Sequence, residues 1–255
     1  MNNFLRSTTL GLSLTLGLIT LGAYSTNAKA ADAPDRATVE KWIEEYLLEH
    51  PEVIEQANAV LAERREIEKM NKVESFAESI SKAATKDPLI HVAGNPMAPV
   101  TIIELFDYHC GYCKRVVADV MKTVETRNDV RLILLEYPVL GASSQMAALA
   151  ATAALKQGGD KYMTFHTELM SARGQLNEGR LLEIATQSGL DAGQLAKDMR
   201  AKDVAEAVNR NLMQASEVGV DGTPSFIING DFYPGARSYE QLNAIIDAAL
   251  SDKQS

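Results

Sequence analysis

Cysteine is scarce in this chain: two residues among 255. So few exclude a disulfide-rich scaffold. They stand at Cys110 and Cys113, so the only intramolecular bridge closes across two residues and staples almost nothing. Histidine is sparse too. His50, His91, His109 and His166 show no paired ligand spacing, and two thiols fall short of the four ligands of a tetrahedral zinc site. No metal is expected. Basic residues are outnumbered, 25 Lys and Arg against 34 Asp and Glu, for a net charge of −9. Such an acidic chain is a poor partner for nucleic acid or anionic membranes. Internal repeats and low-complexity tracts are absent.

One apolar run stands at the N-terminus. Met1–Arg6 is a short lead with a single charge, Thr8–Tyr24 carries none, and Ala28-Lys29-Ala30 is a small-x-small site before Ala31. Residues 1–30 are expected to be a cleaved signal peptide. The alternative, an uncleaved anchor, is weakened by Gly11, Gly17, Gly22 and the shortness of the run. Cleavage removes Arg6 and Lys29 and no acid, deepening the net charge of −9 by two, to −11. Export places the mature chain in an oxidising compartment.

Residues 31–87 read as a helical extension. Val39, Trp42, Ile43, Tyr46 and Leu47 share one helical face, and Trp42 reads as a packing residue. Pro51 restarts the helix. An apolar stripe then runs from Val53 through Val60, Ile67, Met70, Val73 and Phe76 to Ile80, in a helix of about 34 residues, near 50 Å long. A stripe of that length needs a partner. Self-association to a dimer or trimer through residues 38–87 is the expectation; the chain's own core is the alternative.

Residues 88–255 form the second domain. Val100–Phe106 is a buried strand, Lys114–Arg127 a helix and Val130–Glu136 a second buried strand, which makes a parallel βαβ unit. Residues 142–218 are helical throughout, an inserted subdomain, with Asp160, Asn177 and Asp191 as candidate helix caps. Ser225–Ile228 and Asp231–Tyr233 flank Asn229-Gly230, a hairpin signal, and Ser238 with Gln241 caps a last helix. The fold class is α/β: a thioredoxin-like layout with an inserted helical subdomain and an N-terminal helical extension.

The CxxC falls where the first strand feeds its helix. There, unpaired amide donors and the helix dipole favour a thiolate on the first cysteine. Cys110 is the expected nucleophile; Cys113, one turn in, is the expected buried, resolving thiol. Glu104 lies in a strand that should be buried, where an unpartnered carboxylate is costly. It is expected to move the proton of Cys113, the alternative being a solvated strand end. Thr223-Pro224 opens the third strand. A cis bond there turns the Thr223 backbone toward Cys110 and offers an edge to an extended peptide. Tyr112 between the cysteines contacts substrate or tunes the pair. His109 either supports the Cys110 thiolate or is an exposed polar neighbour.

The stretch Gly94-Asn95-Pro96, then Val100 to Lys114, together with Glu136–Gly141 and Gly222-Thr223-Pro224-Ser225-Phe226, resembles the DsbA family of exported thiol–disulfide oxidoreductases. The resemblance covers about residues 90–250. It implies a thioredoxin fold, catalysis by Cys110 and Cys113, a buried acid at Glu104 and a cis Pro224. Gly111-Tyr112 between the cysteines and Thr223 before the proline depart from the family's best-known oxidases and resemble its DsbC-type isomerases. A helical extension ahead of such a domain resembles ScsC-like members, in which it drives oligomerisation. The resemblance therefore implies a periplasmic disulfide isomerase or bifunctional oxidase and isomerase, with misfolded cysteine-containing proteins and a membrane redox partner as partners. No cofactor beyond the Cys110–Cys113 pair is implied. A monomeric dithiol oxidase is the alternative.

Overall fold

The computed structural model describes residues 33–252; the expected leader over 1–30 lies outside them. The chain divides after Glu55 into two compact units.

The first unit holds α1 (Arg36–Glu49). The Asp35 carboxylate caps it, accepting from the Thr38 N–H at 2.8 Å. It ends at His50, before Pro51, as a proline requires. No residue of α1 is buried. Trp42, expected to pack, is 56% exposed. Among the described residues of this unit nothing buries its apolar face.

The helix α2 (Glu52–Ala83) runs 32 residues, close to the predicted length. In the second unit its stripe splits in two. Val60, Leu61, Ile67 and Met70 are exposed, whereas Val73, Phe76, Ala77 and Ile80 are buried. The buried four share a core cluster with Ile103, Leu105, Ile133, Leu135 and Ile227. The core of the second unit therefore begins inside α2, ahead of the expected boundary at residues 87 and 88.

Five strands form the sheet: β1 (His91–Gly94), β2 (Val100–Phe106), β3 (Val130–Glu136), β4 (Ser225–Ile228) and β5 (Asp231–Pro234), in the order β1-β3-β2-β4-β5. The helix α3 (Gly111–Thr126) connects β2 to its parallel neighbour β3, in register Val100 with Val130 and Phe106 with Glu136. The hairpin β4–β5 turns at Asn229 and Gly230, both at positive φ, as the Asn-Gly signal predicts. The edge strand β1 was not expected. It has four residues and no buried member, too short for a two-residue period to register.

Alternation along β2 and β3 assigns the faces. Ile103, Leu105, Ile133 and Leu135 face α2 and the end of the insert. Val100, Ile102, Phe106, Leu132 and Leu134 join α3, the insert and the last helix in the larger core. The insert comprises α4 (Ala142–Ala154), α5 (Gly159–Ser171), α6 (Glu178–Gln187), α7 (Ala192–Asp198) and α8 (Lys202–Glu217). Asn177 and Asp191 cap α6 and α7 as expected. Asp160 does not cap α5. Gly158, at φ 115, takes the cap position and leaves Asp160 in the first turn. Ser238 and Gln241 exchange hydrogen bonds at the start of α9 (Tyr239–Asp252).

Candidate active site

The end of β2 and the start of α3 carry the two thiols. Cys110 is the N-cap of α3, in extended backbone, and Cys113 lies in the first turn. Cys110 is 6% exposed and Cys113 fully buried, and both are free thiols. The Cys110 thiol donates to the Thr223 carbonyl oxygen at 3.1 Å. The Thr223–Pro224 bond is cis. Residues 113 positions apart thus meet at one sulfur.

Glu104 lies at the centre of the sheet, opposite Leu134 of β3 and Phe226 of β4. It shares the face of Ile102 and Phe106, the side on which α3 packs. It is 3% exposed, so the solvated-end alternative does not hold. Burial pushes its carboxyl from 4.5 up to about 8. Burial, helped by the nearby Glu104 and Cys110, pushes the Cys113 thiol far above its ordinary value, and a hydrogen bond with the Asp107 backbone offsets part of this. Burial thus disfavours the charged form of both groups.

His109 turns toward the insert: its Nε2 lies 2.7 Å from the Ser143 hydroxyl of α4. It is half-buried rather than an exposed neighbour. Tyr112 is 59% exposed, with the Arg115 guanidinium 4.1 Å from its ring centre. Gly111 has open space where a Cβ would stand, so packing does not demand glycine there.

Two features escaped the sequence reading. Asp107, fully buried, accepts from the N–H of His109 (2.7 Å), Val139 (2.9 Å) and Leu140 (3.0 Å) and from the Ser144 hydroxyl (2.7 Å). It ties the Cys110 loop to the β3–α4 loop. The only sequence signal was an acid placed directly between a buried strand and the CxxC. The second feature is a buried polar cluster. The Tyr108 hydroxyl donates to Glu136 Oε1 at 3.0 Å and lies 3.0 Å from His166 Nδ1. Burial lowers the His166 pKa to about 3, so this imidazole is neutral, and raises Glu136 well above the carboxylate range. Among the described residues no group of three or more His, Cys, Asp or Glu is placed to hold a metal ion.

Comparison with known proteins agrees with this layout. Residues 85–248 match the family described as Thioredoxin, and residues 35–68 match the copper resistance protein ScsC N-terminal domain. A thioredoxin-like oxidoreductase from Silicibacter pomeroyi DSS-3 superposes with TM-score 0.62 at 41% identity, over 66% of this chain and 96% of that one. Proteus mirabilis ScsC in a transitional conformation superposes with TM-score 0.62 at 25% identity, over 88% of this chain and 98% of that one. A probable disulfide bond formation protein D of Bacillus cereus is 27% identical over 188 residues, 69% of this chain and 82% of the relative. The chain spans only 25% of the length of another relative it matches, the Na(+)/H(+) antiporter NhaA 3 of Salinispora tropica.

Proposed function

Because the chain belongs to the thioredoxin family, in its DsbA-like and ScsC-like branch, we propose that it is an exported thiol–disulfide oxidoreductase. It acts on protein disulfides through Cys110 and Cys113, as a disulfide isomerase or as a bifunctional oxidase and isomerase. The observation that carries this reading is the Cys110 sulfur at a helix N-terminus, 3.1 Å from the Thr223 carbonyl, with a fully buried second thiol one turn behind it.

The chemistry follows thiol–disulfide exchange. The Cys110 thiolate attacks one sulfur of a substrate disulfide; an S–S bond forms to Cys110 and the other substrate sulfur leaves as thiolate. In isomerisation a different substrate thiolate attacks the mixed disulfide and releases Cys110. In reduction Cys113 gives its proton to ionised Glu104 and attacks Cys110. The substrate then leaves as its second thiolate, and Cys110–Cys113 closes. Run backwards, the same steps donate a disulfide, and protonated Glu104 returns the proton to Cys113. The thiol pair is the whole redox group, and no cofactor or metal takes part.

The substrates are extended or misfolded exported proteins with cysteines, laid along the Thr223 backbone. The compartment is the periplasm, reached by a cleaved leader over residues 1–30. A membrane redox partner resets the pair. Copies associate, as dimer or trimer, through the extension over residues 38–87, which raises the local concentration of active sites around one substrate. The exposed apolar residues Trp42, Ile43, Tyr46, Val60, Leu61, Ile67 and Met70 support this. Gly111-Tyr112 and Thr223 support the isomerase side of the reading.

A second reading, a monomeric dithiol oxidase, is favoured by one observation: Val73, Phe76, Ala77 and Ile80 fold back on the chain's own sheet. Reactivation of scrambled ribonuclease in a glutathione buffer separates the two. Reactivation by the mature chain supports the isomerase. Dithiol oxidation without reactivation leaves the oxidase.

A further inference from the structure

Tyr137 follows β3 directly and is 3% exposed. Its N–H donates to the Phe106 carbonyl at 2.9 Å, extending the pairing of β2 and β3 beyond the strand ends. Its hydroxyl donates to the Val220 carbonyl at 2.6 Å. One residue therefore touches both chain segments that converge on the Cys110 sulfur. Phe106 leads through Asp107 into Cys110, and Val220 leads through Gly222 into Thr223.

The segment from Val220 to Ser225 is held from both sides. The Gly222 carbonyl accepts from the Ser225 hydroxyl at 2.7 Å, and the Pro224 carbonyl accepts from the Gly235 N–H at 2.9 Å. Both of those donors belong to the β4–β5 hairpin and its flank, the downstream side. On the upstream side the Val220 N–H donates to the Ala215 carbonyl at 3.0 Å, and the Tyr137 hydroxyl is the side-chain anchor. The ring itself packs in the smaller core with Leu135, Ala215 and Val220, so its place does not depend on the hydroxyl.

We propose that Tyr137 is a positioning residue for thiol–disulfide exchange: its hydroxyl holds the Val220–Thr223 arm against the Cys110 thiol, where an extended substrate would lie. The inference rests on the function proposed above. Burial raises the hydroxyl's pKa above its ordinary value, which keeps it a donor at neutral pH.

The test is Tyr137→Phe, which keeps the ring and deletes only the donor. Two reactions of Cys110 are compared in the full mature chain: exchange with a disulfide-bearing peptide, which docks on the Thr223 arm, and alkylation by iodoacetamide, which needs no docking. Loss of one anchoring hydrogen bond predicts a fall in peptide kcat/KM of roughly three- to tenfold. The fall is carried by KM, with alkylation changed by less than about twofold. Two results overturn the proposal: an unchanged peptide reaction, or a parallel loss of both reactions matching a loss of folded protein. If the parent chain fails to exchange with any peptide disulfide, the functional reading falls, and the inference with it.

Discussion

The Asp107 carboxyl accepts the Ser144 hydroxyl at 2.7 Å, with both residues buried. The same oxygen, Oδ1, accepts the His109 N–H, while Oδ2 accepts the N–H groups of Val139 and Leu140. All four partners are donors, so the site needs an acceptor at both oxygens. Asp107→Asn places an NH₂ against at least one backbone N–H whichever way the amide turns. It is therefore expected to cost nearly as much as Asp107→Ala, at least about 3 kcal/mol. Denaturant unfolding of the two variants checks this, and an Asn variant as stable as the parent would refute the arrangement.

The roles of the two thiols are separable. Cys110→Ala is expected to abolish exchange with protein disulfides. Cys113→Ala leaves the attacking sulfur in place but removes the resolving one, so mixed disulfides with substrates accumulate. Non-reducing electrophoresis of material from the exported compartment would show them as bands sensitive to reductant. If none appears in the Cys113→Ala variant, Cys113 is not the resolving thiol.

Glu104 links function to pH. Its carboxyl holds a proton up to about pH 8 in the folded chain and releases it near 4.5 when unfolded. Between those values the folded state binds the extra proton, so this group's contribution to stability is largest below 4.5 and shrinks as pH rises. The slope is about 1.4 kcal/mol per pH unit. Glu104→Gln removes the titration. The variant is expected to gain on the parent steadily from pH 5 to pH 8, measured by denaturant unfolding of the reduced proteins. Its Cys113 loses its proton acceptor, so resolution of mixed disulfides slows at the same time. A stability difference that does not vary with pH would sink the assignment.

The CxxC, the buried strand around Glu104 and the Asn-Gly hairpin were legible because each is local: spacing, period and turn chemistry lie within a dozen residues. The cis bond at Pro224 was legible mostly by resemblance. The Asp107 cluster was not, because its donors stand 32 to 37 positions away at Val139, Leu140 and Ser144. The same holds for Tyr108, Glu136 and His166, three residue types common on surfaces that meet only after folding. The α2 stripe shows a different limit. A helical period reports that a face is apolar, not what covers it. From Val73 to Ile80 the cover is the chain's own sheet. For Trp42, which the period read as packed, no cover exists among the described residues of its unit.

That split in α2 decides how self-association should be tested. A truncation at Pro88 would strip Val73, Phe76, Ala77 and Ile80 from the smaller core and uncover Ile103, Leu105, Ile133 and Leu135. Loss of activity would then report unfolding as readily as loss of assembly. Substitution within the exposed half of the stripe avoids this. Val60→Glu, Leu61→Glu and Ile67→Glu lie at exposed positions, and glutamate is a good helix former, so the fold should tolerate them. If these residues join copies, buried charge at the interface disfavours the assembly. The parent should then have the mass of a dimer or trimer by light scattering, and the triple variant that of a monomer. Ribonuclease reactivation should be lost while dithiol oxidation is kept, because Cys110, Cys113 and Glu104 are untouched. A monomeric parent would instead favour the oxidase reading and leave the exposed apolar residues of α1 and α2 to bind something other than a second copy.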